Sequence, residues 1–501
     1  KDKTVEEINK VQWIPGWGRD RITAMVRDRK DWCISRQRLW GVPIPIFYCK
    51  KCGKELVTRE TIEAVAAIFR KEGSNAWFSH SAEELLPKGT HCECGCTEFT
   101  KETDVMDVWF DSGCSHAAVL TTRDDQHWPA DLYLEGNDQH RGWFQSSLLT
   151  SVAWKGKAPY KAVLTHGMVI DLEGRKMSKS LGNGIAPSEV VQKYGADILR
   201  LWVASSDYQS DVRISNEILK QLSDAYRKIR NTARFIIGNL SDFDPNRDMV
   251  PHDRLLPIDR WALSRYNDLI READEAYKTF EFHEAYRAIH NFCVVDLSNF
   301  YLDVLKDRLY VNKAECEERR AAQTAMFLIL SGLTRMIAPI LAFTSDEIWH
   351  SMPHLADENA EYVMLNDFPK PVDVSADAEF IAKWDKMHKI RDEVKKALEV
   401  ARKEKTIGSS LDAEVQLYCA GDLYSFVKSM EEELKTVLIV SGVKVLKEGS
   451  GTFHGEELPD LSVTVVHAHG AKCARCWCYS DTVGQDPNHP DLCDRCAKML
   501  S

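Results

Sequence analysis

In the first third of the chain, apolar positions fall in short runs broken by turn residues. Asp131-Leu132-Tyr133-Leu134-Glu135 and Ala162-Val163-Leu164-Thr165 read as strands, each followed by a glycine (Gly136, Gly167), with helical patterning after the first. Strand, glycine turn, helix and strand in that order predict the αβ rhythm of a parallel sheet. The stretch from Trp40 to Tyr48 contains Pro43 and Pro45, so it is expected to be extended. From about residue 186 the apolar period lengthens to that of a helix. Pro187-Ser188-Glu189 opens a predicted helix carrying Val190, Val191, Tyr194, Ile198, Leu199 and Trp202. Ile214, Ile218, Leu219, Leu222, Tyr226, Ile229, Ala233 and Ile237 recur at helical spacing. A polar connector, roughly 241–257, precedes further helical patterns over about 258–279, 283–311 and 318–343. Thr344 with Glu347 predicts a capping box for one more helix. Beyond the helices, 415–418 and 461–465 alternate like strands, and 429–438 is helix-like.

These shifts predict an α/β region followed by an all-α region. The expected division is 1–186, an αβ fold with an insertion at about 47–100; 187–213, a connector; 214–405, a helical bundle; 406–466, a small mixed domain; and 467–501, a cysteine-rich tail. With 501 residues the chain can bury several cores, and 44% apolar with 28% charged residues exclude a disordered or fibrous protein. The net charge of −11 excludes coating nucleic acid by bulk charge, though not a local basic site. No apolar run reaches the ~18 residues of a membrane span, so no membrane partner is expected. The best stretch, Met326 to Leu333, is broken at Ser331 and Gly332. The charged start Lys1-Asp2-Lys3-Thr4 lacks a signal-peptide core, and the missing initiator Met points to a processed chain or a piece of a longer one.

Ten of the fifteen cysteines fall in three tight groups: Cys49/Cys52, Cys92/Cys94/Cys96 and Cys473/Cys476/Cys478/Cys493/Cys496. Metal sites pair cysteines two or three apart, whereas disulfide frameworks spread them, so zinc in a reducing compartment is expected. Cys473-Ala474-Arg475-Cys476 with Cys493-Asp494-Arg495-Cys496 is a C-x₂-C…C-x₂-C pattern. Four thiolates at ~2.3 Å would close a tetrahedron around a structural Zn²⁺; two disulfides are the alternative, and Cys478 is a fifth candidate ligand. Cys49-Lys50-Lys51-Cys52 is a second knuckle half, whose partner is Cys92 with Cys94 or Cys94 with Cys96. The isolated Cys33, Cys114, Cys293, Cys316 and Cys419 are expected to be buried small apolar residues.

Lys176-Met177-Ser178-Lys179-Ser180 follows the turn Asp171-Leu172-Glu173-Gly174 and precedes Leu181-Gly182-Asn183. Two lysines three apart on such a loop can bring two ammonium groups to one polyphosphate. Glu135-Gly136-Asn137-Asp138-Gln139 lies just past a strand, where open α/β sheets place ligands. The pentapeptide resembles the second signature of the class I aminoacyl-tRNA synthetases. Residues 31–45, 107–113 and 134–144 are similar to the isoleucyl branch of that family, with the valyl branch the nearest rival.

The resemblance implies the second half of a Rossmann-type nucleotide fold with a zinc-bearing insertion, an α-helical anticodon-binding bundle and a small α+β zinc-binding C-terminal domain. It implies that Lys176 and Lys179 are catalytic and that Glu135, Gly136, Asp138 and Lys179 hold ATP and the aminoacyl-adenylate, with Mg²⁺. Gln139 would meet the amino acid's ammonium, and Trp109 and Trp143 would wall the isoleucine side chain. Cys92 and Cys94 become the preferred partners of Cys49 and Cys52, because some bacterial members use a C-x-C half there. Expected partners are isoleucine, ATP and tRNA(Ile), for a cytoplasmic ligase, monomeric when full-length. A non-enzymatic tRNA- or zinc-binding module of the same descent is the alternative. The family's His-x-Gly-His signature is missing: Thr165-His166-Gly167 and Phe453-His454-Gly455 lack the second His. No segment resembles an editing domain. The chain is therefore expected to be the C-terminal part of a longer enzyme and inactive alone. Asn137 stands where the family more often has Ser. For RNA, the expected contacts are Arg227, Lys228, Arg230 and Arg234 on one helix and Lys395, Lys396, Arg402, Lys403 and Lys405 on another.

Overall fold

A computed structural model describes residues 1–178 and 180–500. They form two compact units, 1–170 with 208–213, and 171–207 with 214 onward.

The first unit is built on a parallel sheet of β1 (Gln12–Ile14), β5 (Ala130–Gly136) and β6 (Tyr160–His166), in the order β1-β6-β5. Trp13 and Tyr133 both register with Val163. The apolar run of β6 is buried on both faces, which is why it reads as a continuous stretch rather than an alternating one. Helix α1 (Trp17–Arg27) follows β1, and α4 (Trp143–Lys155) crosses from β5 to β6, ending on the left-handed Gly156. Ile8, Trp13, Ile22, Tyr133, Phe144, Leu148, Tyr160 and Val163 pack as the core.

The insertion is an antiparallel sheet of β2 (Phe47–Cys49), β3 (Glu55–Leu56) and β4 (Phe99–Lys101), with helix α2 (Arg59–Glu72) capped by Thr58. Phe47, Val65, Trp77, Leu85 and Phe99 give it its own core. The segment from Trp40 to Tyr48 contains no helix, as its prolines require; it bends at Trp40 and Gly41 and enters a strand at Phe47. Helix α3 (Val108–Gly113) precedes β5.

In the second unit the helix expected from Pro187 through Trp202 is two helices, α5 (Pro187–Tyr194) and α6 (Ala196–Ala204). Gly195 sits between them at φ +91°, a conformation that ends one helix and starts the next while the apolar spacing continues. Then come α7 (Asn216–Asn239), α8 (Pro257–Lys278), α9 (Phe282–Asn291), a π-helical run (Phe292–Tyr301), α10 (Leu302–Val311), α11 (Glu317–Ile337), α12 (Ala342–Ser351) and α13 (Ala378–Lys403). The capping box at Thr344 is not formed. Thr344 lies inside α12, and Asp197 from α6 caps that helix instead, accepting from Thr344 N at 2.7 Å and Thr344 Oγ1 at 2.6 Å. A buried ion pair of Asp259 with Arg308, joined by Tyr301, sits inside the bundle.

The chain then forms a sheet in the order β8-β7-β10-β9: β7 (Ala413–Tyr418), β8 (Gly442–Leu446), β9 (Phe453–His454) and β10 (Ser462–His467). The helix-like stretch before β8 is the end of α14 (Gly421–Ser429) followed by α15 (Glu431–Leu438). Of the isolated cysteines, Cys293 and Cys419 are buried, whereas Cys114 and Cys316 are half-buried and Cys33 is exposed. Cys33 lies on an irregular stretch, its sulfur 3.8 Å from Ser35 O. Among the described residues no helix is long and apolar enough to cross a membrane.

Candidate active site and metal centres

The C-terminal end of β5 runs into a 3₁₀ turn, Asn137–Arg141, and then into α4. This turn is held from below by His140, which is buried and donates from Nδ1 to Asn137 O at 3.0 Å. Burial pushes its imidazole pKa down and keeps the ring neutral. Gln139 Oε1 accepts from Trp143 N at 3.0 Å, and Gln139 Nε2 reaches Asp138 Oδ2 at 3.3 Å. Glu135 Oε1 accepts from Gly136 N at 2.9 Å. Two glycines permit this crowding. A Cβ on Gly136 would lie 2.8 Å from Asp138 Oδ1, and one on Gly142 would lie 2.6 Å from Gln139 Oε1 and 3.0 Å from Trp109.

Above the turn opens a cleft of about 410 Å³ lined by Trp109, Ser112, Ser115, Glu135, Gln139 and Trp143. Four expected residues therefore share one cavity. Gly136 and the exposed Asp138 adjoin it without lining it. Both indoles are fixed by side chains that the motif reading did not single out. Tyr133 stacks on Trp143 with ring centroids 4.0 Å apart, and Trp143 Nε1 donates to Ser112 O and Ser115 Oγ. Asp107 caps α3 by accepting from Trp109 N at 3.1 Å, and also accepts from Trp32 Nε1 at 3.0 Å and Arg36 Nη2 at 2.5 Å. Although burial works against ionisation, these donors hold the Asp107 carboxyl below its usual range. The Asp just before a helix was the available local signal for this cap.

The lysine loop belongs to the second unit. Lys176 is exposed, and Lys179 lies outside the described residues.

The cysteines form two clusters. Sγ atoms of Cys49, Cys52, Cys92 and Cys94 lie within 4.8 Å of one another, as do those of Cys473, Cys476, Cys493 and Cys496. Cys96 and Cys478 stand outside these sets; Cys96 Sγ lies 3.6 Å from Glu98 O instead. The backbone N–H of Cys52 lowers the Cys49 thiol pKa to about 6. Burial raises the Cys473 thiol, but the N–H groups of Cys476, Cys493 and Arg475 bring it down to about 6. The neighbouring sulfurs push the Cys52 and Cys476 thiols the other way, so each cluster favours one thiolate in the absence of a cation, and four clustered sulfurs fit a closed, structural Zn²⁺.

The expected basic residues separate. Arg227 pairs with Asp224 and Arg230 with Glu347, so half of that group is neutralised. Lys395, Lys396 and Arg402 line a cleft of about 680 Å³ with Arg391, Lys472 and Trp477, where Lys396 pairs with Glu393 and Glu456 and Arg402 with Glu399. Trp477 is 62% exposed on a left-handed backbone, φ +61°, and spacing alone gave no signal for it.

Residues 1–215 match the family model "tRNA synthetases class I (I, L, M and V)". The chain belongs to the class I tRNA synthetases. Residues 259–417 match the anticodon-binding domain of tRNA ligases, and 470–498 a zinc finger found in FPG and IleRS. Isoleucine–tRNA ligases of Caldanaerobacter subterraneus subsp. tengcongensis and Moorella thermoacetica are 58% and 54% identical to the chain over its whole length. The chain spans about half the length of these curated relatives, 54% of each. Solved synthetases share the fold. A leucyl enzyme of Agrobacterium radiobacter, in a ternary complex with tRNA and LeuAMS, aligns at TM-score 0.50 and 17% identity over 88% of this chain and 51% of its own. Mycobacterium tuberculosis methionyl-tRNA synthetase, bound by methionyl-adenylate, aligns at 0.51 and 18% over 74% and 66%. The synthetase fold, the helical anticodon-binding domain and the zinc-type cysteine clusters are thus all present in this chain.

Proposed function

We propose that this chain carries part of the active site of an isoleucine–tRNA ligase, which activates isoleucine with ATP and Mg²⁺ and passes the aminoacyl group to tRNA(Ile). The observation that carries this reading is the cleft walled by Trp109 and Trp143 with Gln139 and Glu135 at its rim. Rigid indole faces suit a branched aliphatic side chain, since they offer apolar area with few torsions to freeze. One lone pair of Gln139 Oε1 is taken by Trp143 N, which leaves the other for the substrate's ammonium. Glu135, Gly136 and Asp138 would hold the adenylate, while Lys176 and Lys179 would neutralise charge on the ATP phosphates as pyrophosphate leaves. The high identity to isoleucine enzymes favours this substrate over valine. On the second unit, the cleft lined by Lys395, Arg402, Lys472 and Trp477 is the proposed tRNA-facing surface, with cations for phosphates and an indole for a base. The enzyme would work as a monomer in the cytoplasm, with zinc in the two cysteine clusters as structural support.

The test is ATP–pyrophosphate exchange by the natural gene product that carries these residues. Isoleucine should drive exchange, and valine should do so more weakly. Lys179→Ala should lower the exchange rate by about two orders of magnitude with little change in isoleucine KM. Exchange that needs no isoleucine, or equal loss in both parameters, would overturn the reading.

A further inference from the structure

The lysine loop is closed on itself by two side chains. Asp171, nearly buried, accepts from Arg175 N at 2.7 Å, Arg175 Nε at 2.8 Å and Asn183 Nδ2 at 2.8 Å. Asn183, twelve residues further on, accepts from Ser178 N with Oδ1 at 3.0 Å, and its Nδ2 reaches Lys176 O at 3.4 Å. Ser178 Oγ in turn accepts from Leu181 N at 3.3 Å. One short amide therefore touches the loop at its base, at Lys176 and at Ser178. The bond from Asn183, followed by those from Arg175, holds the Asp171 carboxyl down to about 2, so it stays an acceptor across the working pH range.

Among the described residues of this loop Lys176, Ser180 and Leu181 are exposed and Met177 and Ser178 only half-buried, so burial contributes little to its order. Left free, it would lose backbone entropy each time it closed on a ligand. We propose that Asn183, anchored by Asp171, is a positioning residue that sets the lysine loop in its phosphate-binding shape before nucleotide arrives. It acts through the backbone of Lys176 and Ser178 and touches no substrate. The inference rests on the reading above that this loop meets the ATP phosphates. The chemistry requires an amide: its oxygen must accept from Ser178 N while its nitrogen donates to Asp171. A carboxylate at 183 keeps the first bond, loses the second and sets like charge against Asp171.

The experiment uses N183D, D171N and the double variant D171N/N183D in the natural gene product, read by isoleucine-dependent ATP–pyrophosphate exchange. N183D should raise KM for ATP roughly tenfold, the scale of one hydrogen bond to a charged group, with KM for isoleucine within about twofold. The double variant restores a donor at 171 and an acceptor at 183, and should recover most of that loss. In parallel, hydrogen exchange at the Ser178 amide of the 501-residue chain should quicken in N183D and slow again in the double variant. An unchanged KM for ATP, equal rises in both KM values, or no recovery in the double variant would overturn the proposal. If the unsubstituted protein shows no exchange activity, the functional reading falls and the nucleotide part of this one with it. The amide measurement still decides the loop: unchanged Ser178 exchange in N183D rules the positioning out.

Discussion

The two cysteine clusters have the same donors and the same spread, yet they stand on different supports. Cys49 and Cys92 are buried and Cys52 and Cys94 exposed, on a hairpin backed by Phe47, Val65, Trp77, Leu85 and Phe99. In the tail all four cysteines are at 9% exposure or less, but among the described residues the larger apolar side chains clustered with them are few: Val311 of α10 and the half-buried Val483 and Leu492. The tail is otherwise tied to the bundle by polar bonds, Arg475 Nη2 to Val311 O at 3.0 Å and a two-pronged Arg495–Asp307 pair at 2.7 Å. A segment this small cannot bury enough apolar area to order itself. The metal adds to an existing core in the first cluster and takes the place of one in the second.

The largest effect expected from this contrast is the loss of the tail. Structural zinc is worth ~10–16 kcal/mol to small finger domains, most of it folding free energy. Cys493→Ser, or a strong chelator, should abolish amide protection across 470–498 and lower the zinc content. The insertion's sheet and α2 should keep measurable protection under the same chelator. Hydrogen exchange read by mass spectrometry covers both regions at once. Equal loss in the two would show that the core of the insertion contributes little, and the contrast would fail.

A smaller and sharper effect separates neighbours within the first cluster. Cys94→Ser should remove one zinc per chain and lower the insertion's protection partially, whereas Cys96→Ser should leave metal content unchanged. The geometry behind this is direct: Cys94 Sγ is 3.6 Å from Cys49 Sγ, while Cys96 sits past the glycine turn. Metal analysis on the two variants decides it, and a reversed result would move the fourth ligand to Cys96.

The same contrast explains what could be read in the sequence. The tail's two C-x₂-C halves could be paired by spacing, because each half forms a local turn. In the insertion, Cys92, Cys94 and Cys96 are equally spaced, so only the fold decides which sulfurs meet. The strand at 162–165 was legible because a central strand buried on both faces is a continuous apolar run, whereas 131–135 is the mostly exposed edge strand and showed itself by its β-type residues and the glycine after it. The cap of α12 was not, since its acceptor, Asp197, lies 147 residues upstream of Thr344. The walls of the cleft follow the same rule. Trp109 and Trp143 stood in recognisable motifs, and Asp107, which caps the turn of Trp109, lies in one of them, but the Trp32 that bonds Asp107 is 75 residues away. Local chemistry shows in a sequence, and support from distant residues does not.

The smallest expected effect concerns the polar strap under the tail. Arg495 and Asp307 are each about a third to a half exposed, and such pairs contribute at most ~1 kcal/mol even with good two-pronged geometry. Arg495→Ala should therefore leave zinc content intact and speed amide exchange in the tail by about fivefold or less, the factor that ~1 kcal/mol allows. Raising the salt to ~1 M, where the screening length falls to ~3 Å, should reproduce much of that change in the unsubstituted chain and add little in the variant. If instead Arg495→Ala empties the site of zinc, the strap rather than the metal is what orders the tail, and the two clusters differ in how they are moored to their surroundings, not in whether a core lies beneath them.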